Sequence, residues 1–382
     1  MHLPAPDTLD TLRQLYRCMS RIRAFEDAAE IVSQGGVSAY NKTADGSAKV
    51  RGPLHLSTGQ EAVASGVCAH LQPSDLLTST HRGHGHTLAK GADLTGMMCE
   101  LYGKASGFNG GKGGSMHIAD FSVGMLGANG VVAAGLPIAV GAAHAQKLRG
   151  LGAITVCFFG DGAINRGPFL ESLNWARIHQ LPVLFVCEDN RWSATTASAP
   201  MTAGEGASAR SASLGIAASR VNGNEVWSVH ALAGELIAQV RSGSGPRLLH
   251  AITYRLKGHV SVDPAAYRDP EELRQAQLLD PMLRAREHYA QLGGAPADLQ
   301  AIDQAAAAEV QRAMAAALQN DPLANARARF LALGGGTAEL DAIDAAAQAE
   351  VQLAMQTADA AAWPDPAGAF TDIQTTGDGQ WY

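Results

Sequence analysis

Residues 160–192 read GDGAINRGPFLESLNWARIHQLPVLFVCEDNRW, and the expected fold can be worked out from this segment. An apolar run at 153–159 leads into GDG, a helical pattern follows, and a second apolar run at 181–187 leads into EDN. This order predicts a strand, a helix and a parallel strand, which form one βαβ unit. Because parallel strands end at the same edge of a sheet, we expect Asp161 and Asn190 to lie close together where open α/β sheets bind ligands.

These two side chains also indicate what binds at that edge. A carboxylate and an amide oxygen are hard ligands that suit Mg²⁺ when phosphate oxygens supply its other partners. The glycines of GDG allow backbone amides to approach those phosphates, as the first turn of a helix does. A simple turn at GDG, with Asn190 as a helix cap, is the alternative. The strand–helix–strand pattern between Asp161 and Asn190 favours the Mg²⁺–diphosphate site.

Composition narrows the class of protein. The chain has 382 residues, of which 46% are hydrophobic and 17% charged, as is typical of a globular protein with a substantial core. Its net charge of −7 and the lack of a basic tract argue against a nucleic-acid partner. The five cysteines are scattered without a CxxC pair, which predicts a reducing compartment and no zinc site. With no signal peptide or long apolar run, we expect no membrane segment and a cytoplasmic location.

The interval between GDG and Asn190 resembles the signature of proteins that bind thiamin diphosphate (ThDP). The flanking sequence resembles the α subunit of the E1 component of 2-oxo acid dehydrogenase complexes, including acetoin dehydrogenase. The resemblance extends to about residue 320 and is carried by further segments: HLSTGQEA from His55, STHRGHGHTLAKG from Ser79, GGKGGSMHIAD from Gly110 and MLGANG from Met125. The last three are most similar to acetoin dehydrogenase α subunits. The resemblance implies an α/β fold with a mostly parallel sheet flanked by helices, and the cofactors ThDP and Mg²⁺.

The resemblance assigns metal ligands within the opening segment. It implies that Mg²⁺ binds Asp161, Asn190 and the backbone carbonyl of Trp192. It also implies cofactor contacts at Gly162 and Ala163. All five positions follow the two predicted strands, where the residue types themselves indicate a metal–diphosphate site.

Cofactor contacts are also implied before this segment. In the family, the arginine at the position of Arg82 holds the diphosphate. His81 stands where tyrosine is common, although acetoin-type members resemble this chain in having histidine there, and we expect it to contact the cofactor. The backbone at Gly130 and Val132 corresponds to the positions that hold the aminopyrimidine.

Two histidines are implied to be catalytic. His55 opens the HLSTGQEA motif, and His259 lies in a loop that corresponds to the family's GHxxxD…YR; His259 is also expected to contact the diphosphate. A lone histidine is more often structural, so the motif context supports both assignments. Histidines that titrate near neutrality stabilise a developing alkoxide or move protons. Ser261 lies where some family members are phosphorylated, and whether it is regulated here is left open.

The remaining segments before residue 269 have simpler interpretations. Periodicity predicts a helix over 8–34, with an arginine-rich face directed to solvent or to a subunit contact. Residues 37–53 resemble an insertion of unassigned role and are expected to form a surface loop. A helix is predicted over 135–148, a loop from 193 to about 211, and a strand–helix–strand unit over 212–255.

The last third of the chain has a different composition. Residues 269–382 are rich in alanine and leucine, and we predict a helical extension that follows a ThDP- and Mg²⁺-binding domain at 1–268. The extension contains an internal repeat with an offset of 41 residues, whose copies we place at 280–320 and 321–366. A second copy of a helical hairpin is a structural feature, and we expect it to enlarge a subunit interface.

A complete ThDP site also needs a carboxylate from a second domain, and no second βαβ region follows residue 255. The resemblance therefore implies a β subunit in an α₂β₂ heterotetramer, with lipoyl-E2 as acyl acceptor. The implied substrate is a 2-oxo acid or a 2-hydroxyketone such as acetoin. Two alternatives remain: a ThDP-dependent carboligase or decarboxylase without a lipoyl carrier, and a non-catalytic assembly subunit.

Overall fold

The computed structural model describes residues 8–36, 47–50, 52–319 and 322–361. The chain forms two compact units, Met1–Asp321 and Pro322–Tyr382. Each unit is described by itself below.

The elements are numbered in chain order. The helices α1 to α13 are Leu9–Ser33, Glu61–Cys68, His84–Ala89, Leu94–Leu101, Gly135–Leu148, Gly167–Ile178, Gly206–Ser213, Val226–Arg241, Pro270–Leu278, Pro281–Gln291, Pro296–Gln319, Pro322–Ala332 and Thr337–Ala360. The strands β1 to β8 are Leu76–Thr78, Met125–Gly127, Thr155–Gly160, Val183–Asp189, Trp192–Ser193, Thr196–Ala197, Ala218–Asn222 and Arg247–Ile252. Short 3₁₀ turns span Phe121–Val123, Asp161–Asn165 and Ala199–Met201.

A six-stranded parallel sheet organises the first unit, with the strand order β2-β1-β3-β4-β8-β7. Alternate side chains of β3 enter two different cores: Val156 and Phe158 pack on one face, and Cys157 and Phe159 pack on the other. Helices α2, α4 and α8 cover the first face, and α5 and α6 cover the second. A parallel sheet buried on both faces requires such continuous apolar strands. The predicted fold class is confirmed.

The central βαβ unit follows the sequence prediction closely. β3 and β4 pair in parallel, with Phe158 opposite Val186. The 3₁₀ turn Asp161–Asn165 separates β3 from α6, so the helix begins at Gly167 and not directly after GDG. This arrangement leaves the backbone after β3 at the carboxyl edge of the sheet.

Two predicted loops contain more structure than expected. The loop predicted to reach about residue 211 contains the β5–β6 hairpin, and its last residues belong to α7. Ala207 and Ser211 of α7 are buried, because packing outweighs the weak helix propensity of this Ser- and Gly-rich segment. Of the 37–53 segment, residues 37–46 and 51 lie outside the described residues. Ala48 and Val50 are buried, so a surface loop is the wrong interpretation for these two positions.

The arginine-rich face of α1 packs inside the chain. Arg21 pairs with Glu309, and Arg23 pairs with both Glu61 and Asp280. The expectation of a solvent-exposed or intersubunit face is therefore wrong for these two arginines. The reason is that α10 and α11 dock on α1, which the local periodicity of α1 alone does not predict.

The boundary between the two compact units lies after Asp321, next to the start of the second copy of the repeat. The domain boundary at 268 stays a prediction. In the second unit α12 and α13 form a helical pair, in which Arg327 contacts both Asp341 and Asp344. Across the described ranges, none of the helices combines the length and apolar character needed to cross a bilayer.

Candidate active site

A cavity opens at the carboxyl edge of the sheet, beyond the ends of β1, β3, β4 and β8. Its lining brings together every residue that the sequence singled out: His55, His81, Arg82, Gly130, Val132, Asp161, Gly162, Ala163, Asn190, Trp192 and His259. These residues come from six separate segments of the chain. Their individual roles stay predictions, but their placement in one cavity is a property of the fold.

One side of the cavity, here called the cationic wall, consists of His55, His81, Arg82, Arg255 and His259. The side chain of Arg82 is only 4% exposed, and its guanidinium donates to the carbonyl oxygens of Leu56 and His259. No carboxylate among the described residues lies at ion-pair distance from Arg82. A buried cation without a counterion is costly, and a bound anion removes that cost.

The three histidines of this wall contact one another. The ring centroids of His55 and His81 are 4.6 Å apart, and those of His55 and His259 are 4.8 Å apart. The Nδ1 atom of His55 is buried and has no hydrogen-bond partner within the part of the chain that the structure describes. An unsatisfied buried nitrogen beside a cavity suits contact with a ligand.

The electrostatics of the wall keep these histidines neutral. Burial and the charge of Arg82 lower the pKa of His55, and they lower the pKa of His81 to about 3 and that of His259 to about 4. Burial and Arg255 lower the pKa of Arg82 to about 9. The expectation that His55 and His259 titrate near neutrality is therefore wrong for the ligand-free chain.

Three neutral imidazoles in one cluster also have the composition of a transition-metal site. The nitrogens of His55, His81 and His259 lie within 4.8 Å of one another. However, the positive field of Arg82 and Arg255 that lowers the histidine pKa values also disfavours a metal cation. The wall as a whole suits an anion better than a metal.

A second group of lining residues, here called the oxygen edge, consists of Asp161, Asn190 and Trp192. Burial raises the pKa of Asp161 to about 6, while a hydrogen bond from the Ser198 hydroxyl group opposes this shift. The Asn190 amide donates to Gln60 Oε1 at 2.8 Å, and its oxygen accepts from the Trp192 backbone N–H at 3.1 Å. The amide of Asn190 is therefore held in a fixed orientation.

The two sides fit the same group. Asp161 is a buried carboxylate that gains from a cation, and Arg82 is a buried guanidinium that gains from an anion. A Mg²⁺–diphosphate supplies both charges at once, and the oxygen donors of the edge are those that Mg²⁺ prefers. ThDP and Mg²⁺ are therefore compatible with the residues present.

The backbone around the cavity is strained. Ala133, Arg191 and Ala194 have positive φ angles of 76°, 67° and 50°. Residues other than glycine rarely adopt this backbone conformation. A Cβ atom at Gly162 would lie 2.5 Å from the Ser193 hydroxyl oxygen, so the close approach of these two segments favours glycine. Such strain is common where a site fixes a ligand.

A glycine-rich loop borders the cavity through Met116. Its conformation depends on the buried carboxylate of Glu100, which accepts four backbone N–H groups at 2.7–3.0 Å, from Asn109, Gly111, Gly113 and Gly114. The glycine pattern was visible in the sequence, but Glu100 as its organising residue was not.

Sequence reasoning also missed a buried polar array beside the cavity. Ser79 and Glu188 line the cavity, and the ring of His86 bridges them. Its Nδ1 atom lies 2.7 Å from Ser79 Oγ, and its Nε2 atom lies 3.1 Å from Glu188 Oε1. His86 also stacks on Phe158. Gln60 and Arg255 were missed as well. A signal was present for Gln60, because it lies within the HLSTGQEA motif that contains His55.

The fold and the cavity define a class of protein: an α/β protein with a cavity at the carboxyl edge of a parallel sheet, where such proteins bind ligands, and with residues there that suit a charged cofactor. Comparison with known proteins identifies the family. The model of the family described as dehydrogenase E1 component matches residues 41–326. The chain therefore belongs to this family, whose members depend on ThDP.

Individual relatives support the same assignment. The α subunit of acetoin:2,6-dichlorophenolindophenol oxidoreductase from Bacillus subtilis is 44% identical over 259 residues, which cover 68% of this chain and 74% of that one. Its counterpart from Cupriavidus necator is 41% identical over 308 residues, covering 80% and 89%. The α subunit of pyruvate dehydrogenase E1 from Rhizobium meliloti is 36% identical over 285 residues, covering 74% and 78%. The chain is thus an E1 α-type subunit of an oxidoreductase, which confirms the family resemblance of its motifs.

Proposed function

We propose that this chain is the α subunit of a ThDP- and Mg²⁺-dependent E1 that cleaves the C–C bond next to a carbonyl group. The substrate is a 2-oxo acid or a 2-hydroxyketone such as acetoin, and the acyl unit passes to a lipoyl-E2. The observation that carries this proposal is that the cationic wall and the oxygen edge line the same cavity. Acetoin and pyruvate appear in the names of the similar proteins, so they are the first substrates to test.

In this proposal the oxygen edge holds the metal. Asp161 and Asn190 provide side-chain oxygens, and Trp192 provides its backbone carbonyl. The remaining cofactor contacts come from His81, Arg82, Gly130, Val132, Gly162, Ala163 and His259. When bound, ThDP supplies a nucleophilic carbon and an electron sink, while the protein supplies positioning and electrostatics.

His55 and His259 are the proposed catalytic residues. Both are neutral in the ligand-free chain, so each offers one donor and one acceptor nitrogen. The unpaired Nδ1 of His55 is free to accept or hold a proton from a group in the cavity. A bound diphosphate raises the pKa of both histidines, because it offsets the charge of Arg82. The assembled site therefore brings these residues closer to neutrality than the ligand-free chain does.

The cavity has the features of half a site, which supports a β subunit that completes it. Its volume is about 220 Å³, below the range of about 300–1,000 Å³ that is usual for complete ligand sites. Val131 and Val132, which also line the cavity, are 64% and 46% exposed. The carboxylates in the lining are Asp161 and Glu188, and Glu188 is engaged by His86. We therefore propose that the activating carboxylate comes from the β subunit of an α₂β₂ assembly.

The two alternative functions differ from this proposal in the acceptor of the acyl unit and in whether the cofactor cavity is needed at all. A carboligase or decarboxylase would use the same cavity without a lipoyl acceptor. A non-catalytic assembly subunit would not need the paired charges of Arg82 and Asp161, which makes it the weaker alternative. A cytoplasmic location is also proposed, supported by five cysteines that are all free.

An activity screen tests the proposal. The chain is assembled with a β-type subunit, supplied with ThDP and Mg²⁺, and offered acetoin, pyruvate and branched 2-oxo acids. Reduction of 2,6-dichlorophenolindophenol measures oxidation, and acylation of a lipoyl domain measures transfer. We expect both signals with one substrate class. Product formation without either acceptor would support the carboligase, and no turnover of any substrate would contradict an enzymatic role.

A further inference from the structure

The second copy of the helical repeat displays a face that the first copy buries. In α11 this face consists of Leu299, Ile302, Ala306, Val310, Ala313 and Ala317, all of which are buried. The same positions in α13, 41 residues later, define what we call the α13 face: Leu340, Ile343, Ala347, Val351, Ala354 and Ala358. All six residue types are identical in the two copies.

The first copy shows what this face is suited to do. α11 docks on α1 and α4, where Val310 and Ala313 join the main core. Polar contacts border the docked face: Asp303 accepts from the hydroxyl groups of Tyr16 and Ser20. The sequence of this face therefore encodes helix-on-helix packing.

The second copy has the same chemistry without the packing partner. Ile343 and Val351 are each 59% exposed, whereas Leu340 is buried at 8%. Asp344 and Glu350 repeat the acidic residues of the first copy, and Arg327 contacts Asp344 as Arg286 contacts Asp303. The helical pair is thus formed within the second unit, while the described residues of that unit leave its docking face uncovered.

An exposed apolar face at the end of a repeat array is unusual. The terminal repeat of such an array normally has a polar outer face, because each repeat buries its apolar face only against a neighbour. Here the last copy retains the interior sequence. A further helical layer is therefore needed to cover the α13 face.

We propose that this layer is the same hairpin of a second copy of this chain, so that two α12–α13 pairs form a four-helix bundle with two-fold symmetry. In a two-fold contact the same surface of both chains takes part, here the open side of each α12–α13 hairpin, and no foreign partner is required. None of the residues that line the cofactor cavity belongs to α12 or α13, so the inference is independent of the proposed substrate and acceptor.

The distribution of charge supports a second copy as the occupant. Both basic residues of 322–361, Arg327 and Arg329, lie on α12. Arg327 already pairs with Asp341 and Asp344 of its own chain, whereas Arg329 has no ion pair among the described residues and is available to a partner. All five acidic residues lie on α13: Glu339, Asp341, Asp344, Glu350 and Asp359. A symmetric arrangement that sets each α12 against the partner's α13 brings opposite charges together twice. Direct pairing of α13 with its own equivalent would instead place acidic residues together, so the bundle is expected to place α12 between the two acidic helices.

Sedimentation velocity of the full-length chain over a range of concentrations tests this interface. The test variant is Ile343→Glu with Val351→Glu, which places charge on the α13 face. The control variant is Ala349→Glu with Gln356→Glu, which adds the same charge to the opposite side of α13. Glutamate is a good helix former, so both variants retain the helix, and circular dichroism checks this.

We expect the wild-type chain and the control to self-associate alike. The test variant should raise the dimer dissociation constant at least about tenfold, since charged groups at a buried contact are unfavourable. Arg329→Glu should weaken the dimer by a smaller factor, because it places an acidic residue against the partner's acidic helix.

Two results would overturn the proposal. One is a wild-type chain that stays monomeric at every concentration. Concentrations above about 100 μM are included, because they are high enough to populate even a weak dimer. The other is a dimer that the test variant leaves unchanged, which would place the contact on another surface. If the test variant lost binding to a β-type subunit while self-association was unchanged, the α13 face would belong to that subunit and the proposal would also be wrong.

Discussion

The cationic wall and the oxygen edge of the cavity respond to burial in opposite ways. On the wall, burial and neighbouring arginines lower the pKa of His81 to about 3 and that of Arg82 to about 9. On the edge, burial raises the pKa of Asp161 to about 6. Burial disfavours the charged form of every group, so it lowers the pKa of the bases on the wall and raises the pKa of the carboxyl group on the edge.

The difference shows how one ligand can satisfy both sides. The wall lacks an anion and the edge lacks a cation, and each lies within the same cavity. A Mg²⁺–diphosphate provides both, so each half of the ligand strengthens the binding of the other half. Substitutions on the two sides should therefore have different signatures, and the following predictions test them.

The largest effect is expected at the oxygen edge. Asp161→Asn keeps the shape of the side chain and removes the charge that holds Mg²⁺. In the assembled complex it should raise the dissociation constant for ThDP with Mg²⁺ about 100-fold, a cost of about 2.7 kcal/mol. Calorimetry measures the constant. Asp189→Asn is the matched control, because Asp189 ends the neighbouring strand β4 but pairs with His250 outside the cavity lining, and normal binding is expected there.

At the cationic wall we expect a smaller loss of ThDP binding, and one that depends on the diphosphate group of the ligand. Arg82→Ala should weaken ThDP binding about 30-fold, since it removes the buried guanidinium that faces the diphosphate. Thiamin, which has no diphosphate, should bind the wild type and the variant equally. An equal loss for both compounds would mean that Arg82 supports the fold of the cavity and not the diphosphate.

The ligand-free chain offers a test on stability. Because the pKa of Asp161 is raised from 3.8 to about 6, its carboxyl group stabilises the fold below about pH 3.8, and this contribution is lost as the pH rises through about 6. Asp161→Asn should therefore stabilise the ligand-free chain by about 3 kcal/mol at pH 8 and by about half as much at pH 5. Urea unfolding at the two pH values measures the difference.

Asp189 provides the contrasting case for this stability test. Hydrogen bonding and charge from His250 lower the pKa of Asp189 despite its burial, so its contribution is present above the usual carboxyl range and is lost as the pH falls. Asp189→Asn should accordingly destabilise the chain at pH 8. The same sign for both variants would show that pairing with His250 is not what separates the two carboxylates.

The smallest effect is expected at Gln60, which orients a ligand without contacting the metal. Gln60→Ala removes the acceptor of the Asn190 amide at 2.8 Å and should weaken binding about fivefold, the effect of one ordinary hydrogen bond. Combined with Asn190→Ala, it should cause little further loss. Full additivity of the two substitutions would indicate that Gln60 acts independently of Asn190.

Much of this site could be predicted from the sequence. Asp161 and Asn190 follow apolar strands of known spacing, and motif context located His55, Arg82 and His259. The βαβ rule then requires the strand ends to meet at one edge, and the cavity contains all of these residues.

What the sequence could not provide were contacts between distant segments. Glu100 is an unremarkable helix residue until the glycine loop folds over it, and His86 has no motif that links it to Glu188. The shifted pKa values of the histidines also depend on Arg82 and Arg255, which lie far apart in the chain. Such effects arise from tertiary packing, and local patterns carry no information about them.

The central claim is that this chain contains half of a ThDP site. Calorimetric titration of ThDP with Mg²⁺ into the purified chain, and then into the chain assembled with its β-type subunit, tests this claim directly. We expect weak binding and no turnover for the chain alone, and tight binding with turnover for the assembly. Tight binding and turnover of a 2-oxo acid or acetoin by the isolated chain would contradict it.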